Sequence, residues 1–232
     1  MNLDIIIPVY NEKKTIGVVV NKVLQYKELN TNIIIVDDGS TDGTLEIINK
    51  LQKDYPNNIK VLSHDRNLGK GAAIKTAIKN LKSEIVLIQD ADLEYDPSDY
   101  SKLLNPILNN KADVVYGSRF LGGQQVRVHL FWNYLANKLL TLTTNILVNM
   151  NFTDMETGYK VFKREALNSI IIKENSFTFE PEITIKLSKK NLIFYEVPIS
   201  YYGRSYDEGK KIKLKDAFLA LYCLFKYRFF ND

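Results

Sequence analysis

The feature that most restricts the fold is a series of apolar runs without polar alternation. Ile5-Ile6-Ile7, Ile33-Ile34-Ile35-Val36 and Ile85-Val86-Leu87-Ile88 each read as a strand buried on both faces. Stretches with helical periodicity separate them. The spacing predicts strands at 3–9, 32–36, 59–63, 84–89 and 112–116, and helices at 13–26, 41–53, 69–81 and 97–109. Such alternation specifies an α/β chain with a Rossmann-like, mostly parallel sheet and helices on both faces. Ligands of these sheets bind beyond the carboxyl ends of the strands. Gly, Asp and Asn gather at those ends, in Asn11, 37–40, 67–71 and 90–96.

The second half changes character. A long, largely apolar helix is expected over 126–150, interrupted by His129, Asn133, Asn137, Lys138 and Asn145. A strand at 157–162, a helix at 181–190, a strand at 191–200 and a basic loop at 203–211 follow. A terminal helix over 213–230 carries a wide apolar face (Leu214, Phe218, Leu221, Tyr222, Phe225, Phe229) and a basic edge (Lys213, Lys215, Lys226, Arg228). The expected organisation is one domain over 1–212 with an amphipathic helix over 213–232. That helix suits either a membrane interface or the domain's own core.

The 232 residues, 45% hydrophobic and 25% charged, can bury one full core, and a net charge of +4 names no partner. Cys223 is the only cysteine, so no intrachain disulfide forms; it reads as a buried, inert thiol. Asp4 and Pro8 break the first apolar stretch, which argues against a signal peptide. No run reaches the roughly 18 apolar residues of a membrane span. The expected location is cytoplasmic and peripheral to a membrane.

Asp90, Asp92 and Glu94 alternate after a buried strand, so an extended chain would place their carboxylates on one side. They would then either hold Mg²⁺ or Mn²⁺ together with substrate phosphates, or form a solvated loop before the next helix. An EF-hand fits less well, because Tyr95 and Ser101 stand where its glycine and bidentate glutamate belong. Asp37-Asp38-Gly39-Ser40 either forms a turn capped by Ser40 or Thr41, or offers acceptors to a base or ribose. The turn 8–13 has no glycine and no P-loop occurs, which counts against nicotinamide and ATPase chemistry. His64 and His129 stand apart and read as structural.

Pro8-Val9-Tyr10-Asn11-Glu12, Asp37-Asp38-Gly39-Ser40, Asn67-Leu68-Gly69-Lys70-Gly71 and Asp90-Ala91-Asp92 follow one another in an order that resembles family 2 glycosyltransferases of the GT-A fold. Gly117-Ser118-Arg119-Phe120 and Asp154-Met155-Glu156-Thr157-Gly158-Tyr159-Lys160 are similar to the dolichol-phosphate mannosyltransferase branch, which includes bacterial polyprenyl-phosphate hexosyltransferases. The resemblance implies an inverting, metal-dependent transfer of a hexose from GDP-mannose or UDP-glucose to a polyprenyl phosphate. Pro8, Tyr10 and Glu12, with Asp37 or Asp38, would hold the nucleoside, and Lys70 would bind substrate. Asp90, Asp92 and Glu94 would hold Mg²⁺ or Mn²⁺, with glutamate at 94 where the branch usually has glutamine. Arg119, Arg127 and Arg204, with Lys210 or Lys211, would surround the acceptor phosphate. A hydroxyl acceptor is the alternative, with Asp154 or Glu156 as base; a sugar-phosphate nucleotidyltransferase or a non-catalytic nucleotide sensor fits less of the pattern. Phe177, Phe179 and 180–182 fall where the family shapes its pocket, although core packing suits the two phenylalanines. A membrane surface is an expected partner and nucleic acid is not.

Overall fold

The computed structural model describes residues 1–128, 130–204 and 214–230. Seven strands form one sheet: β1 (Asn2–Val9), β2 (Asn30–Asp37), β3 (Ile59–Ser63), β4 (Ile85–Ile88), β5 (Val114–Ser118), β6 (Lys160–Lys163) and β7 (Phe194–Pro198), in the order β3-β2-β1-β4-β6-β5-β7. The pairs β1–β2, β1–β4, β2–β3 and β5–β7 are parallel. β6 runs antiparallel to both β4 and β5, which periodicity alone did not foretell.

The strands explain both layers. In β1, Leu3, Ile5, Ile7 and Val9 face one side with Ile33 and Ile35 of β2 and Ile85 and Leu87 of β4, while Ile6, Ile34, Val36, Val86 and Ile88 face the other. Successive strand side chains point to opposite faces, so an unbroken apolar run needs helices on both. The first face is covered by α1 (Ile16–Gln25), α2 (Thr44–Asp54) and α4 (Tyr100–Leu108). The second is covered by α3 (Lys70–Ile78), the short α6 (Arg164–Asn168) and α7 (Phe179–Ser188).

Most elements lie where the pattern places them, with shorter ends. Residues 13–15 form a turn, so α1 begins at Ile16, and 157–159 precede β6 as a loop. The long apolar stretch becomes α5 (Phe131–Val148), and the terminal helix becomes α8 (Leu214–Phe229). α8 packs on α5 and α7. Ala220, Cys223, Leu224 and Tyr227 are buried there against Leu140, Met155 and Ile185. Cys223 Sγ donates to the Thr178 carbonyl, and burial pushes its thiol pKa up, as befits an inert core thiol. Part of α8 is therefore core. No helix among the described residues is long and apolar enough to cross a membrane.

Candidate active site

A cavity of about 750 Å³ lies beyond the carboxyl ends of β1, β2 and β4 and extends under α5 and α8. Pro8, Tyr10, Glu12, Asp38 and Asn67 line it. So do Lys70, Asp90, Asp92 and Glu94, together with Arg119, Phe120, Trp132, Glu156, Phe177 and Glu180. The clustering of Asp, Asn and Gly at strand ends thus falls on this cavity.

The acidic segment differs from its extended expectation. Residues 91–95 bend, with Leu93 at φ 28°, and Ala91 and Tyr95 turn into the core. The three carboxylates take partners of their own. Asp90 pairs with Lys70 at 2.8 Å. Asp92 pairs with Arg204 Nη2 at 2.6 Å, while Glu94 accepts from the Arg204 backbone N–H (2.7 Å) and Tyr201 Oη (2.9 Å). Arg204 also reaches Glu12, 3.2 Å away. Among the described residues, no group of three or more His, Cys, Asp or Glu side chains is arranged to hold a metal ion. Asp90 and Asp92 nevertheless line the same cavity. Burial, together with the charges of Asp90 and Glu94, pushes the Asp92 carboxyl up to about 7 against the opposing pull of Arg204. Gly158 packs so close to Asp90 that a Cβ there would overlap its Oδ2, so the backbone of the loop before β6 confines this carboxylate.

Asp38 has another task. Its Oδ1 accepts from Leu68 N–H (3.0 Å) and lies 2.7 Å from His64 Nδ1; its Oδ2 accepts from Gly69 N–H at 2.7 Å. Asp38 therefore anchors the 67–71 loop, and His64, held also by Thr76, is structural as expected. Asp37 is buried; Oδ2 accepts from Ser40 N–H, and Oδ1 has no partner among the described residues. It does not line the cavity. Neither Ser40 nor Thr41 caps α2, which begins at Thr44 behind Gly43; Ser40 Oγ instead accepts from Asn11 N–H.

Arg119, which lines the cavity, grips Asp154 with Nε (2.6 Å) and Nη2 (2.7 Å). The fully buried Asp154 also accepts from the Arg119 backbone and Asn137. Burial alone would raise its pKa, but Arg119 outweighs it and holds the carboxyl below its usual range. Asp154 is thus a strut for Arg119 and does not line the cavity. Arg127 is exposed, donates to the Gly203 carbonyl and also lies away from the lining. Lys210, Lys211 and His129 fall outside the described residues. Phe179 is core; Phe177 lines the cavity.

The sequence reading missed a buried ammonium. Lys160 of β6 is wholly enclosed and donates to the carbonyls of Met155 (3.1 Å) and Thr157 and to Glu180 Oε2. Glu180 also takes Lys70 at 3.1 Å. Lysine in an apolar strand is the one signal that could have pointed there, since it requires a partner.

The family model for glycosyl transferase family 2 matches residues 4–171. The chain belongs to that family. It is 31% identical, over 95% of its length and 93% of the relative's, to the UDP-N-acetylglucosamine–dolichyl-phosphate N-acetylglucosaminyltransferase of Methanococcus voltae. It is 28% identical to a dolichyl-phosphate beta-glucosyltransferase of Trichomonas vaginalis, over 91% of this chain and 68% of that one. Among solved structures, glucosyl-3-phosphoglycerate synthase from Mycobacterium tuberculosis, in complex with Mg²⁺ and UDP, superposes with a TM-score of 0.76 at 18% identity. The superposition covers 100% of this chain and 80% of that one, and supports the family's α/β fold.

Proposed function

We propose that the protein transfers a hexose, with inversion, from a nucleotide sugar to a polyprenyl phosphate. One observation carries the choice of acceptor: the charged cavity runs directly into an apolar surface. Trp132, Tyr134 and Leu140 of α5 and Ala217 and Ala220 of α8 are part of its lining. The outer faces of the same helices expose two stripes: Phe131, Leu135, Leu139, Leu142 and Ile146 on α5, and Phe218, Tyr222, Phe225 and Phe229 on α8. An acceptor with an anionic head and a hydrocarbon tail matches that continuity. The names of the relatives agree with this class of acceptor.

In this reading the donor lies along the cavity with its nucleoside beside Pro8 and Tyr10. Asp90 and Asp92 would hold Mg²⁺ or Mn²⁺ with the donor's phosphate oxygens, since this ion type commonly takes one or two carboxylates plus substrate phosphates. The bound cation would act as a Lewis acid toward the departing diphosphate. Glu94, occupied by Tyr201 and Arg204, is the least available of the three acids. Arg119 and Arg204 face the cavity and position the acceptor phosphate; Asp154 keeps Arg119 charged and oriented. An acceptor phosphate oxygen attacks the anomeric carbon as the bond to the diphosphate breaks, its electron pair leaving with the nucleoside diphosphate. A phosphate with its second pKa near about 6 is mostly dianionic at neutral pH and needs no base.

Nucleoside diphosphate release should therefore depend on a polyprenyl phosphate and be absent with the corresponding polyprenol. Turnover on the alcohol at a comparable rate would defeat the proposal. One observation favours a hydroxyl acceptor instead: Glu156, raised to about 7 by burial and by Glu180 against Lys160 and Arg119, lines the cavity and has the pKa of a general base.

The exposed stripes should also seat the protein on a bilayer, aided by the exposed Arg228. Lys226 contributes less than the sequence promised, because it pairs with Glu174 at 2.8 Å. Full-length protein should float with anionic liposomes, and Phe225→Glu with Phe229→Glu should abolish flotation without lowering Tm. A wild type that never floats, at low salt as well as high, would remove the membrane from the proposal.

A further inference from the structure

Three carboxylates in or beside the cavity are accounted for. Asp154 is locked by Arg119 and Asn137. Glu180 is shared by Lys70 and Lys160. Asp90 is taken by Lys70. Glu156 is different: it lines the cavity, and its Oε1 is buried with no partner among the described residues.

The surrounding chain holds Glu156 in this position. Lys160 Nζ binds the carbonyls on either side of it, Met155 O and Thr157 O, so the local backbone is fixed. With Glu180 as third acceptor, all three ammonium donors of Lys160 are committed, and none remains for Glu156. Met155 and Thr157 are themselves buried, which leaves the Glu156 side chain on the cavity wall.

A buried acceptor oxygen without a donor is costly, and a ligand that brings the donor removes that cost. Phosphate cannot do so, being itself anionic. In the proposed reading the nucleoside sits by Pro8 and Tyr10. What comes between the diphosphate and the acceptor arginine is the neutral, hydroxyl-rich sugar ring. We infer that Glu156 is a specificity-determining residue whose Oε1 accepts a hydrogen bond from a hydroxyl of the donor hexose. The inference rests on the proposed nucleotide-sugar reading.

The test is equilibrium binding with Mn²⁺ and no acceptor. UDP-glucose, UDP-N-acetylglucosamine and GDP-mannose are first compared by thermal shift on the wild type, and the most stabilising one is used with its own nucleoside diphosphate. Glu156→Ala should weaken the nucleotide sugar about 10- to 100-fold, the range for a hydrogen bond to a charged group. The nucleoside diphosphate should bind as before. Glu156→Gln keeps an acceptor oxygen without the charge and should lose only about 3- to 10-fold; it decides the matter if the alanine variant does not fold. Equal effects on sugar nucleotide and diphosphate, or none on either, overturn the inference. So does lost turnover with unchanged donor binding, which would make Glu156 a base toward the acceptor. If no nucleotide sugar stabilises the wild type, the donor reading itself fails and takes this inference with it.

Discussion

Asp92→Asn should cut sugar transfer by at least about 10²-fold while leaving the protein folded. The rate loss follows from removing one of two cavity-lining carboxylates proposed to hold a cation, whose charge stabilisation is worth several kcal/mol, with each 1.36 kcal/mol a factor of ten. The fold should survive because Arg204, which loses Asp92, keeps Glu12 and Glu94. Stability can even rise. Burial beside Asp90 and Glu94 lifts the Asp92 carboxyl to about 7. A carboxyl raised by folding makes the native state less stable as pH climbs from its unfolded value, about 4, toward the folded one. Asparagine carries no such penalty, so Tm at pH 8 should equal or exceed that of wild type. Mn²⁺ titration in the presence of the nucleoside diphosphate gives a readout independent of turnover and should show weaker binding. Normal turnover with unchanged Mn²⁺ affinity would contradict the assignment.

Asp154→Asn should act through stability. Asp154 is fully buried and holds Arg119 by two side-chain contacts at 2.6 and 2.7 Å. Breaking a buried pair from one side costs about 3–5 kcal/mol, because the other charge is left uncompensated. In a chain of this size each kcal/mol moves Tm by about 2–4 °C, so a fall of roughly 6–20 °C is expected. Removing both charges, with Arg119→Gln added to Asp154→Asn, should restore part of that loss, as a double-mutant cycle would measure. Were Asp154 a general base, Tm would stay near wild type while kcat dropped about 10²–10⁴-fold. Melting curves beside single-turnover rates separate the two outcomes.

The contrast between these residues reflects which interactions a sequence makes visible. Burial on both faces of a strand leaves a local mark, so the runs at Ile5, Ile33 and Ile85 announced the sheet and its two helical layers. Turn residues mark strand ends equally locally, which is why Pro8, Tyr10, Asp90 and Asp92 could be placed at the site and the family resemblance stated from ordered motifs. Even the exposed aromatic stripe of α8 and the burial of Cys223 were legible, though the elements that bury Cys223 and Tyr227, α5 and α7, were not.

By itself, then, the sequence determined the α/β class, the placement of the acidic segment beyond β4 and the family. Only the tertiary structure decided the partners. Arg204 reaches Asp92 across 112 positions of sequence, and Lys160 reaches Glu180 across 20. The antiparallel entry of β6 between β4 and β5 brings its preceding loop, with Glu156 and Gly158, against the cavity, and Asp154 behind Arg119. Periodicity records what each residue does to its near neighbours. Ion pairing and orphaned carboxylate oxygens depend on which distant groups the fold brings within about 3 Å, and no local pattern encodes that distance.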